Sequence, residues 1–595
     1  MKSLIQPKNT IFKKFLQMLA FCYVVSFILL PTNTIFAETK HLIFRESTIF
    51  KQDSKWFEKI GDQGLYGKGF GSNKNIATRG MAIYEDELYI GIENLNKTKL
   101  KSYFPNLISK ILQEIMKNNI QLPKRNTIKE NINYIYKYIK NIINIRHEFV
   151  DILRNYCDEN YKVYNYSFER DNQFILEPET YYLSGILRQN ILNKLTRLQL
   201  HYRTFCSDGG EIWKYNYTTD SWAQIIGTQS ITGINAGFNY RFNCAISVLK
   251  EFKGQLYAGT WNTPIGSLNN PNRKGCEIWR YNGNLWEQVV GSDANNDYGR
   301  LSGGFGNPDN VAAWSIEELN GYLYIGTMNW NILKTGACEI WRSYDGINWE
   351  RVVDQGFRSN MTEQDINNGV MNNYAWIMKN YSGKLYVGTF NYRGSNNQTI
   401  QGAGCQLWSS SNGITWIKEL LPNGDGFGEG ANWGIRSMDI YNDDLYLGTA
   451  TNFKSENEGC EIWRYNVSGE QIFWTCIVGD QASTGRYTRD GFNDTANKYV
   501  WSMIVTEDGL YAGTSNRNGC QVYRYNTTSG WTALVKTRTS EEITTEESDG
   551  FGDHLNYGAR SMIEYPLGSK NVFLGTFTPY WKHNWAGCEI WVRYA

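Results

Sequence analysis

The sequence predicts an all-β fold: a seven-bladed β-propeller closed by an N-terminal strand, with an α-helical insertion in its first blade. Three observations predict it. The pattern Leu-Tyr-x-Gly-Thr or a near variant begins at Leu88, Leu256, Leu323, Leu385, Leu445, Leu510 and Phe573. A second pattern, Gly-Cys-Glu-Ile-Trp or a relative, follows each copy and puts its aromatic residue at Trp213, Trp279, Trp341, Trp408, Trp463, Tyr523 and Trp591. Residues 97–203 stand outside the repeat and contain one Gly and no Trp. Self-similarity at a regular period marks a repeat architecture.

Each period of roughly 60 residues holds four short apolar strands separated by Gly, Asn and Asp turns, which is the content of one propeller blade. Blades pack on neighbours through both faces, so their strands are apolar on both sides. The last copy ends on its third strand, Gly587 to Tyr594, while Trp56 to Gly61 has the pattern of a fourth strand without a blade. The two ends are therefore expected to pair and close the ring. The 21 Trp, 40 Tyr and 56 Gly against 11 Pro suit aromatic strands and tight turns.

Taken in chain order, Lys13 and Lys14 precede an apolar run from Leu16 to Leu30, and Ala37 offers a small residue for cleavage. Residues 1–37 are expected to be a signal peptide, since the run is short for a membrane span of about 20 residues. That places the chain outside the cytoplasm: secreted, periplasmic or on the cell surface. Residues 38–96 carry the closing strand and the start of the first blade. Residues 97–203 read as helical, with Phe104, Leu107, Ile108, Ile111 and Leu112 at helical spacing and a capping box at Thr127-Ile-Lys-Glu130. This insertion holds 18 Lys or Arg against 10 Asp or Glu, an excess that suggests docking or self-association. Residues 204–595 complete the ring. The formal net charge of +1 speaks against a nucleic-acid partner.

Two turns, Ser343-Tyr-Asp-Gly-Ile-Asn-Trp349 and Ser410-Ser-Asn-Gly-Ile-Thr-Trp416, are similar to the Asp box, each one residue short of that motif's spacing. With these turns the chain resembles secreted propellers built of kelch-like or Asp-box (BNR, sialidase-type) repeats over residues 52–96 and 204–595. The kelch double glycine is missing. The resemblance implies the fold; one fold hosts many activities.

Cys276, Cys338, Cys405, Cys460, Cys520 and Cys588 recur at one place in the repeat. Neighbouring sheets lie about 10 Å apart, too far for a disulfide that needs Cα atoms within about 7 Å, so these are expected to be buried thiols. The pairing of Cys157, Cys206, Cys244 and Cys476 stays open. The acid or amide after each Cys, at Glu277, Glu339, Gln406, Glu461, Gln521 and Glu589, with Glu211 in the first copy, is expected to be structural, because catalysis would not copy a carboxylate seven times. Catalytic and phosphate-loop signatures are absent, and the five His are scattered. No cofactor or metal ligand set is expected, and ion binding by the Asp-Gly-Phe loops at Asp425, Asp490 and Asp549 stays open.

Where copies differ, function is sought. One position on the innermost strand reads Arg79, Ile246, Trp314, Trp376, Arg436, Trp501 and Arg560. Tyr374, Trp433, Tyr499 and Tyr557 lie just upstream, beside Asn373, Asn432 and Asn556. These residues are expected to ring one mouth of the central channel and to bind a glycan or surface molecule: guanidinium forks hold carboxylate or sulfate, and aromatic faces hold sugar rings. The expected function is an exported binding or scaffold protein. The alternatives are a glycoside hydrolase or lyase acting on acidic glycans, and a structural cell-surface component.

Overall fold

In the computed structural model, glycine, threonine and asparagine of the repeat dictate how the strands meet. The structure describes residues 56–58, 68–94, 208–262, 274–291, 300–329, 336–391, 403–453, 455–469, 471–482, 485–537, 547–579 and 587–595. The segment expected to be a signal peptide (1–37), the segment expected to be a helical insertion (97–203), Cys157 and Cys206 lie outside these residues. The described strands number 28 and join one antiparallel network. They pair in successive sets of four. The first set runs Asn75–Tyr84, Glu87–Asn94, Ile212–Asn216 and Ser221–Ile226.

Adjoining sets are joined at the centre by single pairings from the second strand of one to the first strand of the next: Glu93↔Ala245, Trp261↔Ala312, Met328↔Tyr374, Phe390↔Gly434, Ala450↔Tyr499, Ser515↔Gly558 and, closing the circle, Phe577↔Ala77. The fold is a closed, propeller-like all-β ring. Its last set, Gly558–Glu564, Val572–Phe577 and Ile590–Arg593, takes its outer strand from Trp56–Glu58, with Trp56 opposite Arg593 and Glu58 opposite Trp591. Trp56 is buried and meets the Phe551 ring edge-on at 5.4 Å.

The motif residues divide the packing between them. A Cβ on Gly259 would stand 2.6 Å from the Ala313 Cβ of the next set, and one on Gly448 would stand 2.5 Å from the Val500 Cβ, so glycine is what lets the sets approach. The following Thr hydroxyl accepts from the backbone N–H of the repeat acid or amide, as Thr260 does from Glu277 and Thr449 from Glu461. That acid accepts from the indole two residues on and from an Asn that opens the inner strand. Glu339 Oε2 takes Trp341 Nε1 at 2.9 Å and Asn310 Nδ2 at 2.8 Å. The phenylalanine of each Gly-Phe turn, held at positive φ, stacks on the same motif aromatic, as Phe305 on Trp341 at 5.0 Å and Phe427 on Trp463 at 4.7 Å. Through these bonds the acids take the structural role the sequence suggests, with one oxygen of each engaged in the same way. Cys276, Cys338, Cys405, Cys460, Cys520 and Cys588 are buried free thiols, as are Cys244 and Cys476, so these last two do not pair with each other.

Candidate functional site

Each inner strand carries an irregularity at the same place. The register with the second strand shifts between Thr78 and Met81, Ile246 and Val248, Ala313 and Ser315, Ala375 and Ile377, Ile435 and Ser437, Val500 and Ser502, and Ala559 and Ser561. The residues left over are Arg79 with Gly80, then Ser247, Trp314, Trp376, Arg436, Trp501 and Arg560. A β-bulge sets two residues against one and re-aims the extra side chain. The register corrects one assignment: Ser247, not Ile246, stands at the bulge in the second set. Ile246 is paired with Thr260 and buried.

The bulges bring the three arginines within electrostatic reach of each other. Arg79 donates to Glu93 Oε2 through Nε at 2.8 Å and Nη2 at 2.5 Å. Its guanidinium also lies 4.8 Å from the Trp261 ring centre and 5.1 Å from that of Trp314, two sets away, with the short Ser247 between them in the ring order. Arg436 lies over Trp376 at 5.3 Å and Arg560 over Trp501 at 4.4 Å. Such cation–π contacts are worth about 0.5–2 kcal/mol each. They do not neutralise charge. Arg436 Nε is buried and has no hydrogen-bond partner. Burial first, and then the Arg79 charge, pull the Arg436 guanidinium down to about 9. Burial, Arg79 and Arg436 push Arg560 the same way, with Glu93 opposing. Among the described residues the ion pair at this hub is Arg79–Glu93.

The aromatic residues are packed more tightly than the sequence suggests. Trp376 and Trp501 are 5 % and 6 % exposed, and their indole N–H groups are buried without an acceptor. Tyr499 stands between them, 5.8 Å from each ring. Tyr374 stacks on Phe390 at 4.7 Å, and Trp433 meets Phe390 edge-on at 6.1 Å. Tyr557 is buried just ahead of the seventh inner strand. Trp314 remains partly exposed and lies against Trp261 and Tyr374 at 5.7 Å. The hub is therefore an aromatic collar carrying three guanidinium groups, with Trp314 the predicted indole that keeps solvent access. Glu93, Trp261, Phe390 and Phe577 belong to it as well; they stand two residues past the motif glycine on the second strands, at a position that reads Glu93, Trp261, Met328, Phe390, Ala450, Ser515 and Phe577, and this variation is the signal that could have found them.

The Asp-Gly-Phe loops use their acids internally. Asp425 takes Gln406 Nε2 at 2.7 Å and pairs with Lys418 at 2.9 Å; Asp549 accepts from the Thr537 N–H at 3.0 Å. Asp490 accepts from the Asp480 and Gly459 N–H groups. Among the described residues, one cluster of carboxylates could hold a metal ion: Glu429, Glu461 and Asp480, whose oxygens lie within 4.8 Å of one another.

No family model matches the chain, and no curated protein matches it. The likeness to Asp-box proteins therefore rests on its turns, where Asp345 Oδ1 accepts from the Ile347 and Asn348 N–H groups at 2.8 Å. Among solved structures, the chain is similar to an α-L-arabinanase of Penicillium chrysogenum complexed with arabinobiose, at 12 % identity over 58 % of this chain and 91 % of that one, with a TM-score of 0.31. An α-L-arabinofuranosidase of Fusarium graminearum with an iminosugar inhibitor gives the same identity, coverage and TM-score. An α-L-arabinofuranosidase of Clostridium thermocellum matches at 13 % identity over 49 % of this chain and 92 % of that one, with a TM-score of 0.27.

Proposed function

We propose that this exported chain is a seven-bladed propeller that recognises an acidic glycan, its carboxylate or sulfate seated on Arg79, Arg436 and Arg560. One observation carries the reading: three inner-strand bulges carry guanidinium groups that act on one another electrostatically, and among the described residues the ion pair there is Arg79–Glu93. Charges of one sign held in low dielectric are costly, and an anion bound by charge-assisted hydrogen bonds offsets that cost. The buried, unpartnered Nε of Arg436 supplies a donor for it. Trp314 offers the sugar ring an apolar face.

Binding is preferred to cleavage because glycoside hydrolysis needs two carboxylates at the bond, and Glu93 is committed to Arg79. The residues 97–203 and their basic excess would serve assembly at a surface. The test is the double variant Arg436→Met with Arg560→Met, which keeps an unbranched apolar stem and removes the guanidinium and its charge. Wild type should retain acidic over neutral oligosaccharides on a glycan array, and the variant should lose that preference about a hundredfold. Equal binding of both glycan classes by wild type and variant overturns the reading. Release of reducing sugar in a parallel assay replaces it with a glycoside hydrolase or lyase of acidic glycans.

A further inference from the structure

The repeat acid has two oxygens, and the second tells the sets apart. One is always held by the motif aromatic and the strand-opening Asn. In the third set Glu339 Oε1 takes Asn307 Nδ2 at 3.2 Å and faces Arg351 at 3.7 Å. In the seventh, Glu589 Oε1 pairs with Lys68, which also holds Asp553 at 3.0 Å. The first and second sets bring Gln224 and Gln288 to Glu211 and Glu277. In the fourth and sixth sets an amide replaces the acid and donates instead, Gln406 to Asp425 and Asp365, and Gln521 to Asp494 at 3.0 Å. Each of these arrangements sets a donor group near an acceptor.

The fifth set breaks this rule. Glu461 is fully buried; its Oε2 takes Asn432 at 2.6 Å and Trp463 at 3.1 Å, but its Oε1 is buried without a partner. The outer-strand residue opposite the motif aromatic is Gln224, Gln288, Arg351 or Lys418 in the first four sets, and here it is Cys476. From the other side comes Glu429, whose Oε2 is also buried and unpartnered. Asp480, exposed at the end of the outer strand, brings a third carboxylate within 4.8 Å of both. The other charges acting on Glu429 are Asp490 and Glu458, again acids. A buried carboxylate without a donor costs several kcal/mol unless a cation compensates.

We propose that Glu429, Glu461 and Asp480 form a binding site for a hard divalent cation of the calcium type. The donors are all carboxylate oxygens, without His or Cys, which disfavours zinc and copper. Carboxylates that bind through one or both oxygens suit the larger, adaptable calcium shell, with water completing it at the exposed Asp480; magnesium demands a near-ideal octahedron and sheds water reluctantly. The site lies just beyond the ends of the fifth set's strands, ahead of Asn432 and Ile462 and after Val478, and involves none of the hub arginines, so it is independent of the glycan reading.

The experiment uses the full chain, stripped with chelator and titrated calorimetrically with calcium chloride, magnesium chloride and zinc chloride in turn. Wild type is expected to bind one calcium with Kd below about 1 mM and to melt at a higher temperature when loaded. Glu461→Gln preserves the bonds to Trp463 and Asn432, as Gln406 does for Trp408 in the fourth set, and should fold while losing at least about tenfold in calcium affinity. Glu429→Gln places an amide donor against Glu461, and should melt higher than stripped wild type while responding less to calcium. The proposal is overturned by wild type that binds no calcium at 10 mM (about ten times the weakest expected Kd), by variants that bind as wild type does, or by magnesium or zinc binding as tightly as calcium.

Discussion

The latch and the hub lie a few residues apart on the same inner strands and obey opposite rules. In the latch, Asn, the repeat acid or amide, the motif aromatic and the Gly-Phe turn recur with nearly the same bonds in every set. Asn310, for example, gives Nδ2 to Gly304 O and Glu339 and accepts through Oδ1 from Thr327 and Asn329. In the hub, four residues further along, the backbone bulge recurs but its side chain is Arg, Ser or Trp. Where every polar atom has a partner, a residue is explained by the fold. Where a repeated backbone device carries varied and under-partnered side chains, the fold is only the holder.

The strongest challenge to this contrast is Glu93→Gln. In a structural site, removing one member of a buried ion pair only weakens the protein, typically by 3–5 kcal/mol (about the range for buried pairs). At the hub the same substitution should lower the denaturation midpoint and raise the affinity for an anionic ligand, because three guanidinium groups then lack their internal carboxylate. A fall in both would place Glu93 in ligand binding itself.

Asn310→Ala should behave in the opposite way at the latch. It strips donors and acceptors from a fully buried cluster and leaves Glu339 under-satisfied, at a cost of about 2–3 kcal/mol. Urea denaturation should show the loss, and anion affinity measured below the transition should stay at the wild-type value.

The smallest effect expected is a pH dependence. The unfolded chain keeps the Arg436 proton up to the ordinary, much higher guanidinium value, whereas the folded hub releases it from about 9. Between these values the unfolded state binds more protons, so this group makes stability rise with pH there. Anion binding needs the charged form, so affinity should be full below about pH 9 and decline above it. Competition binding from pH 7 to 10 checks this, and the decline should vanish in Arg436→Met.

Much of this was legible because repetition exposes the latch: the Gly, Thr, Glu and Trp of each motif sit at fixed spacing. The bulge was less legible because it is a property of pairing. Counting back from Leu-Tyr placed six of the seven hub positions and missed Ser247, whereas counting forward from the strand-opening Asn243 reaches it. Glu93 and Trp261 escaped notice because they enter the hub from another strand. Glu429, Glu461 and Asp480 escaped because they come from three separate segments, and because Glu461 looked like one more copy of a structural acid.

The strand Trp56–Glu58 pairs with residues 591–593, and this sets a timetable for biosynthesis. A ribosome adding about 5–20 residues per second needs on the order of a minute to deliver the partner after Trp56 has emerged. During that interval the aromatic segment of the growing chain is open to a completed copy whose last set is not yet closed, because that copy offers the same edge at residues 591–593. Slowing translation late in the message, or depriving the cell of holding chaperones, should therefore favour strand-swapped dimers over monomers, with sets one to six folded normally in both.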